Sequence, residues 1–378
     1  MKSNLSDICE YVKDKVDVTI LDDKTYISTE NMVPNKGGIT SASSLPTIAL
    51  TQAFLAGDVL VSNIRPYFKK IWFAEFDGGC SNDVLVFRAK EGVHNRFLYY
   101  VLADDTFFDY SMTTSKGTKM PRGDKAAIMK YEVPDFTYDE QIRISRLLEL
   151  LDRKIQINTA INENLHQLMT TYYAEIFKDC DYSATISDYS ERVFSGGTPT
   201  TSNDNYWNGS FKWLSSGETS QRFIVDTEKT ITQEGIDNSS TRLASKYNTV
   251  IASAGQGHTR GQTSMLLTDS YVNQSIIVID SEKVYMPFIY WNICGRYEEL
   301  RVISNSNSIR GSLTTKMISS LSAPKADIEL ISKFSELSWS AIHEIEKNCN
   351  EISRLTALRD TLLPKLINGE IDVSAIKI

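Results

Sequence analysis

Residues 111–125 contain the clearest candidate binding chemistry, because they place cations among small polar residues. The stretch reads SMTTSKGTKMPRGDK, with Lys116, Lys119 and Arg122 between Ser, Thr and Gly. Backbone amides, hydroxyls and cations together are the groups that bind phosphates and the edges of bases. The alternative interpretation is a solvated surface loop, which is the commoner fate of such a segment taken alone.

Residues 63–70, NIRPYFKK, form a second basic stretch, in which Arg65 and Lys69 flank two aromatic rings. We group it with the first as a candidate binding loop. Its alternative interpretation is a charged strand edge that deters pairing with other sheets.

The second half of the chain repeats the first and carries polar loops with a cation at the same places. Sliding residues 58–102 forward by 191 positions requires no gap, so that Asn82 falls on Asn273 and Lys69 on Arg260. A shared scaffold with divergent loops is how related modules bind different ligands. The candidate residues of these loops are Gln256, His258, Arg260, Ser308 and Arg310.

The motifs of common enzymes are absent from the sequence. The nearest approach to a nucleotide-binding loop, residues 255–264, has Gln262 where the lysine should be. The histidines lack metal-binding spacing, and there is no G-x-S-x-G elbow and no Asn-Pro-Pro-aromatic run of the kind that amino-methyltransferases use. We therefore predict a binding module rather than an enzyme.

Composition places further bounds on the function. A chain of 378 residues allows two or three domains, and its net charge of −8 argues against bulk non-specific nucleic-acid binding. A local basic face or a basic partner remains compatible with that charge. The odd number of scattered cysteines indicates a reducing compartment, and neither a signal peptide nor a long apolar run is present, so we expect a cytoplasmic protein.

Two long amphipathic helices must position these loops. The first is predicted from about Asp139 to Phe177, where some 39 residues without Gly or Pro would form a rod of roughly 58 Å. Such a rod is too long for the interior of a small domain. Asn158 and Asn162 interrupt its apolar stripe, and we interpret them as positions that fix the register of a helix pair.

The second helix is predicted from about Asp327 to Leu366, and its stripe matches the first at a distance of 190 residues, for example Leu168 with Leu358. We predict that the two helices pack together in antiparallel orientation. The alternative is that each helix packs only on its own domain. We consider it weaker, because neither helix shows the wide apolar face that a globular core needs.

The globular stretches are predicted to be mixed α/β. Between turn signals, strands are predicted at Thr25–Ser28, Asp58–Asn63, Lys70–Phe76 and Asp83–Arg88, with a short helix at Asn95–Leu102. The predicted fold class is α/β, with two tandem-duplicated domains joined by two long helices packed as an antiparallel coiled coil. The expected boundaries are 1–138 and 181–325 for the domains, and 139–180 and 326–378 for the helices.

Four stretches, taken in order, carry a resemblance to a known family. Residues 134–155 resemble the first inter-domain helix of that family. The GGTP of residues 196–199, with Trp207 and Trp213, resembles the opening of a target recognition domain. Asn273-Gln274 resembles a polar pair late in that domain, and residues 358–371 resemble the C-terminal end. Together they resemble the specificity (S) subunit of type I restriction-modification systems over nearly the whole chain. The first copy departs from this pattern, with Ser81-Asn82-Asp83 in place of Asn273-Gln274 and no GGTP opening.

The GGTP stretch allows two interpretations. Gly196-Gly197 could bring backbone amides to an anion. We favour a turn followed by two core tryptophans.

The resemblance implies a non-catalytic protein whose two recognition domains each read one half of a split double-stranded DNA sequence. The helices would hold the domains apart and dock modification (methyltransferase) subunits, two per chain, which bring S-adenosylmethionine. A restriction subunit would add ATP- and magnesium-dependent cleavage. The chain itself would bind no cofactor and no metal.

Site residues follow from the loops and the stripes. DNA contacts are expected from Arg65, Lys69, Lys116, Lys119, Arg122, Gln256, His258, Arg260, Ser308 and Arg310. Contacts with partner subunits are expected from Leu148, Leu151, Ile155, Ile345, Ile352 and Leu355. Two alternatives stay open, namely a scaffold that binds only proteins and one half of a nuclease or methyltransferase.

Overall fold

The computed structural model describes residues 2–117, 119–255, 257–305 and 311–374. The chain divides into unit 1, from Met1–Lys154 with Arg354–Ile378, and unit 2, from Ile155–Ser353. Each unit therefore contains part of both long helices, whereas the domains expected from the sequence follow the order of elements along the chain.

Unit 1 is built from short strands and helices. Its strands are β1 (Lys2–Asn4), β2 (Cys9–Tyr11), β3 (Lys15–Asp17), β4 (Tyr26–Ile27), β5 (Leu50–Phe54), β6 (Val59–Ser62), β7 (Ile71–Phe73), β8 (Gly78–Cys80), β9 (Val84–Ala89) and β10 (Glu132–Pro134). Its helices are α1 (Leu5–Ile8), α2 (Asn95–Ala103), α3 (Asp105–Thr113), α4 (Lys125–Ile128) and the beginning of α5 (Tyr138–Ile176). The four predicted strands correspond to β4, β6, β7 and β9, and the predicted short helix is α2.

From residue 249 onward, unit 2 repeats the order of elements that unit 1 shows from residue 59 onward. Its strands are β11 (Ala184–Thr185), β12 (Arg192–Ser195), β13 (Trp207–Leu214), β14 (Phe223–Ile224), β15 (Lys229–Ile231), β16 (Arg242–Ala244), β17 (Thr249–Ala252), β18 (Thr263–Leu266), β19 (Ser270–Val272), β20 (Ile276–Asp280) and β21 (Ser322–Ala323). Its helices are α6 (Gln233–Asp237), α7 (Met286–Cys294), α8 (Tyr297–Asn305), α9 (Thr315–Ser319) and most of α10 (Ile328–Ile367). Helix α2 moved forward by 191 residues coincides with α7, so the predicted duplication is confirmed.

The main sheet of each unit lies between a layer of helices and a second sheet. In unit 1 the main sheet has the order β2-β9-β6-β7 and the second sheet β3-β5-β8-β4. Val59 and Val61 pack in the core that contains the helices, whereas Leu60 packs in the core of the second sheet. Because both faces of β6 are covered, the strand is a continuous apolar run. Unit 2 repeats the arrangement, with Ile251 and Val250 on the two sides of β17.

A two-stranded pair closes the globular part of each unit. In unit 1, β1 pairs with β10 in antiparallel orientation, and in unit 2, β11 pairs with β21. Just outside the second pair, the amide of Lys325 donates to the carbonyl oxygen of Asp181 at 2.7 Å. The two ends of the segment 184–323, one following α5 and the other preceding α10, therefore lie next to each other.

The long helices begin and end within one residue of their predicted limits. Helix α5 starts with a reciprocal cap, in which the amide of Thr137 donates to Glu140 Oε2 at 2.7 Å and the amide of Glu140 donates to Thr137 Oγ1 at 3.3 Å. This arrangement satisfies amides that a helix start leaves without partners. The predicted uninterrupted helices are confirmed.

Hydrogen bonds across α5 and α10 establish the antiparallel orientation. In order along α5, the bonded pairs are Asp152–Arg359 at 2.9 Å, Asn158–Glu351 at 2.7 Å and Asn162–Asn348 at 2.9 Å. The partner numbers fall along α10 as they rise along α5. Both asparagines lie in the helix pair, where the sequence predicted them.

Both helices also contribute to the cores of the units. Each helix therefore packs on the other helix and on the globular elements, so both kinds of packing occur. In unit 2, Phe334 and Ile345 of α10 are fully buried. The face between them is wide because Ser335 and Ser338 are buried too, and their hydroxyls donate to carbonyl oxygens at 2.6 and 2.8 Å. The expectation that neither helix has a wide core-facing surface is therefore wrong for α10, where small serines extend it.

Candidate nucleic-acid interface

The two basic stretches of unit 1 lie side by side. The amide of Arg65 donates to the carbonyl oxygen of Pro121 at 2.8 Å. Lys116 and Arg122 exchange backbone hydrogen bonds of 2.9 and 3.0 Å, which fold residues 116–122 into a narrow loop. All five predicted residues of the first copy are thus brought onto two neighbouring loops.

A third loop, which the sequence indicated only as a turn, joins them. The amides of Asn35 and Lys36 donate to the carbonyl oxygens of Phe68 and Lys69 at 2.8 and 2.9 Å. We name residues 34–38, 63–70, 116–117 and 119–122 together the basic loop surface. The signal for the third loop was the lysine inside the turn sequence PNKGG, but only the fold shows which loop it adjoins.

The backbone of the basic loop surface is strained. Asn35, Lys36, Arg65 and Lys69 all have left-handed conformations, with φ between 50° and 62°. Lysine and arginine rarely adopt this region, and each such residue costs on the order of 1 kcal/mol or more. Strain of this kind concentrates at functional sites, because the surrounding structure must hold it in place.

Carboxylates hold several of these cations in fixed positions. Lys36 Nζ and Lys69 Nζ lie 2.9 and 2.8 Å from the two oxygens of Asp105. Burial would raise the pKa of Asp105, but hydrogen bonds and charge from Lys69 and Lys36 outweigh it and lower the pKa. Asp105 is the first residue of α3, and the preceding residue, Asp104, caps the helix by accepting from the amide of Thr106.

The loop of residues 116–122 contains looser cations. Arg122 pairs with Asp83 at 3.1 Å, and Lys116 pairs with Asp124 at 2.5 Å while its own side chain is mostly exposed. Lys119 is exposed, and no ion pair to it is found within the described residues. Exposed pairs exchange easily with solvent or a ligand, so these cations can reach a phosphate at little cost.

Apolar side chains are exposed among the cations. Tyr67, Phe68 and Met120 are 48%, 37% and 48% exposed, and the rings of Tyr67 and Phe68 lie 4.7 Å apart. Aromatic rings beside cations suit contact with the faces of bases or sugars. The surface therefore offers both charge and stacking groups.

In unit 2, Arg260 is engaged with its own chain. Its guanidinium donates to Asn305 Oδ1 at 2.5 Å and to the carbonyl oxygen of Gly311, which connects its loop to the end of α8. His258 is exposed, and its carbonyl oxygen accepts from the Tyr297 hydroxyl at 2.9 Å. Arg260 must exchange these bonds before it can contact DNA, so that expectation stays a prediction.

The other predicted residues of the second copy, Gln256, Ser308 and Arg310, lie outside the described residues. Helix α8 adds a cation that the sequence did not single out, because Arg301 donates to the carbonyl oxygen of Gly257 at 2.6 Å. Arg301 therefore supports the loop that carries His258.

The GGTP stretch forms a turn against the second sheet, as favoured from the sequence. A Cβ at Gly196 would lie 1.9 Å from the carbonyl oxygen of Val272, so a side chain has no room there. Trp213 is buried and its indole donates to the carbonyl oxygen of Gly197 at 3.3 Å. Trp207 is only half-buried. These contacts favour a packing role over anion binding.

The partner-contact residues divide by burial. Leu148 and Ile345 are fully buried in the cores of their own units, so a partner subunit cannot touch them. Their assignment as partner contacts is corrected accordingly. The remaining four, Leu151, Ile155, Ile352 and Leu355, are half-buried and stay predictions.

Other apolar residues of the predicted stripes point to solvent. Leu168 and Leu358, which match each other in the repeat, are 60% and 46% exposed. Ile157 and Ile161 of α5 are exposed as well. These residues, rather than the buried ones, are the apolar part of the helices that is open to a partner.

His166 is an ionisable group enclosed by aromatic rings in unit 2. Its ring centroid lies 6.0 to 6.4 Å from those of Phe223, Tyr290 and Trp291. Burial, together with the positive charge of Arg222, lowers the pKa of the imidazole to about 4. The side chain is therefore neutral at physiological pH.

This burial predicts an acid-sensitive unit 2. Between pH 6.5 and about 4, the unfolded chain binds a proton at His166 that the folded chain does not, so stability falls as the pH falls through this window. Urea titrations at pH 7 and pH 4 give the loss of free energy of unfolding between these pH values. His166→Phe should make this loss smaller by on the order of 2 kcal/mol. His343→Phe, on the exposed side of α10, is the control. If the free energy of unfolding changed equally between pH 7 and pH 4 in wild type and in His166→Phe, the prediction would be contradicted.

Within residues 2–117, 119–255, 257–305 and 311–374, no cluster of His, Cys, Asp and Glu could hold a metal ion. Over the same ranges, no helix has the length and apolar character needed to cross a membrane.

Comparison with known proteins agrees with this geometry. The family model "Type I restriction modification DNA specificity domain" matches residues 1–167. The specificity subunit of the type I restriction enzyme HindI, from Haemophilus influenzae, is 21% identical over 97% of this chain and 98% of its own length. That of EcoDI, from Escherichia coli, is 31% identical over 33% of this chain and 30% of its own length.

Among solved structures, the S subunit of a type I restriction-modification system from M. genitalium has the same fold. The TM-score is 0.59 at 16% identity, over 97% of this chain and 96% of that one. Residues 1–167 therefore match the DNA specificity domain of type I restriction-modification systems, and nearly the whole chain is similar to a specificity subunit of such a system.

Proposed function

We propose that the chain is the DNA-reading subunit of a type I restriction-modification complex, in which each unit reads one half of a bipartite sequence. The observation that carries this proposal is the repeat itself. From β6 and from β17 onward, the two units share an order of four strands, three helices and a strand, and they present different loops at positions 191 residues apart. Two readers on one chain require two sites on the DNA, and their different loops require two different half-sites.

The long helices would set the spacing and dock the methyltransferase subunits. DNA presents the same face about every 10 bp, or roughly 34 Å, so a bipartite reader needs stiff connections of fixed length. Uninterrupted helices of 39 and 40 residues suit this task. The methyltransferase subunits, proposed as two per chain, would bring S-adenosylmethionine and contact the exposed parts of the helices.

The proposed role leaves the chemistry to the partners. The chain would be non-catalytic and would act in the cytoplasm, where chromosomal DNA lies. Its net charge of −8 is compatible with DNA binding if partner subunits neutralise most phosphates. The basic loop surface with its exposed aromatic rings favours this role over a scaffold that binds only proteins.

Methylome sequencing of cells with and without this gene tests the proposal directly. We expect a split methylated motif that is present only when the gene is present together with its methyltransferase partner. An unchanged methylome, with the protein and its partner both expressed, would reject the proposed function.

Lys119 provides a separate test of the basic loop surface. We expect Lys119→Ala to weaken binding of all DNA sequences alike and to lower the slope of log affinity against log salt by about one. Titration of labelled DNA with the assembled complex at several salt concentrations measures both. Lys130→Ala, an exposed lysine beyond α4, is the matched control. If the slope of log affinity against log salt is the same for both variants and wild type, Lys119 is not part of the interface.

A further inference from the structure

We propose that Asp105 is a positioning residue, which holds the ammonium groups of Lys36 and Lys69 as a pair that grips one phosphate of the DNA backbone. The proposal rests on the DNA-reading function of unit 1. It assigns the loop of residues 34–38 to the interface and gives a role to an acidic residue that would otherwise oppose DNA binding.

The geometry of the three side chains carries the argument. Each oxygen of Asp105 takes one lysine, at 2.9 Å for Lys36 and 2.8 Å for Lys69. Because both lysines bind the same carboxylate, their ammonium groups are close neighbours. The lysine side chains are only 16% and 30% exposed, so their stems are packed and their heads have little freedom.

The backbone brings the same two residues together. The amide of Lys36 donates to the carbonyl oxygen of Lys69 at 2.9 Å, and both residues have φ values in the left-handed region. Two loops that are far apart in sequence thus each place a strained lysine against the start of α3.

The remaining bonding capacity of the pair suits a phosphate. An ammonium group has three donors, and each lysine uses one of them on Asp105. The three groups together carry one net positive charge, and Arg65 lies four residues before Lys69 on the same loop. Lysines that are already ordered lose less entropy when they bind, which raises affinity without a new contact.

The test compares two variants that remove the same charge from the same helix. Asp105→Asn frees the lysines, whereas Asp109→Asn removes an exposed carboxylate one turn further along α3. The assembled complex is titrated with a duplex that carries the methylated motif and with a duplex that lacks it. We expect Asp105→Asn to weaken binding of the motif duplex roughly threefold to tenfold. We expect Asp109→Asn to leave it unchanged or slightly tighter.

The sign of the effect decides the proposal. Loss of a negative charge near DNA strengthens binding by electrostatics alone, so weaker binding by a folded Asp105→Asn variant indicates loss of position. If Asp105→Asn binds as tightly as Asp109→Asn or more tightly, Asp105 is not a positioning residue.

A second pair of variants covers the case in which Asp105→Asn folds poorly. Lys36→Met and the double variant Lys36→Met/Lys69→Met retain the apolar stems and remove the charges. Because the pair would grip one phosphate, both should lower the salt slope by about one. An unchanged slope in Lys36→Met overturns the proposal. If wild type itself does not prefer the motif duplex, the proposed function has failed instead.

Discussion

Exchange of residues 182–325 for the same segment of another specificity subunit is expected to change one half of the recognised DNA sequence and to leave the other half intact. The segment is closed by the pairing of β11 with β21, and the amide of its last residue, Lys325, donates to the carbonyl oxygen of Asp181 directly before its first residue. Its two ends therefore meet at one place, and a replacement needs to match the chain only there. Methylome sequencing of cells with the chimaera reads both halves of the motif at once.

The reciprocal exchange is the control for this result. Residues 2–134 are closed in the same way by β1 and β10, so their replacement should change only the other half of the motif. A chimaera in which both halves change would show that the units do not read independently. A chimaera that assembles but leaves the motif unaltered would show that segment 182–325 does not read DNA.

Phe334→Ala is expected to lower the free energy of unfolding of unit 2 by about 3–5 kcal/mol. Phe334 is fully buried, and its ring centroid lies 5.4 to 6.0 Å from those of Tyr172, Tyr173, Phe177 and Trp291. The rings of Tyr172 and Tyr173 in α5, and of Phe177 directly after it, make this site the aromatic centre of the helix pair in unit 2. Truncation to alanine removes these contacts and leaves a cavity that the surrounding rings cannot fill.

Leu337→Ala supplies the matched control, since Leu337 lies one turn along the same helix and is 49% exposed. Urea titration followed by tryptophan fluorescence should place its midpoint within the error of wild type. A loss below about 1 kcal/mol for Phe334→Ala would mean that the core can collapse around the missing ring.

The sequence by itself determined the elements and their repetition. Strand β6 was predictable because a run of apolar residues between turn signals forms a strand wherever both faces are covered. The first long helix was predictable because a stripe at helical spacing without Gly or Pro has one favourable conformation, and the second because the same stripe recurs 190 residues later. The gap-free repeat aligned α2 with α7, and the asparagines of α5 identified the polar positions of the helix pair.

Only the tertiary structure decided which stripe residues are buried. Leu148 is fully buried while Leu168 is 60% exposed, although both are leucines in one stripe. When the apolar stripe of a helix is wider than the surface of its partner helix, the residues at the edge of the stripe stay exposed to solvent. Which of them are covered depends on the neighbouring elements of the fold. Ser338 is buried for the converse reason, because its hydroxyl bonds within the helix and its small size admits close packing.

Only the tertiary structure decided the composition of the candidate interface as well. The sequence predicted Arg65, Lys69 and Lys116 as DNA contacts, because the residue types in a loop can be seen in the sequence. It did not bring Lys36 to Lys69, nor both to Asp105, because those contacts join segments separated by dozens of residues. It also could not distinguish Arg260, whose guanidinium binds its own chain, from the exposed Lys119. Which cations are free depends on the neighbours that the fold supplies, and spacing along the chain does not encode them.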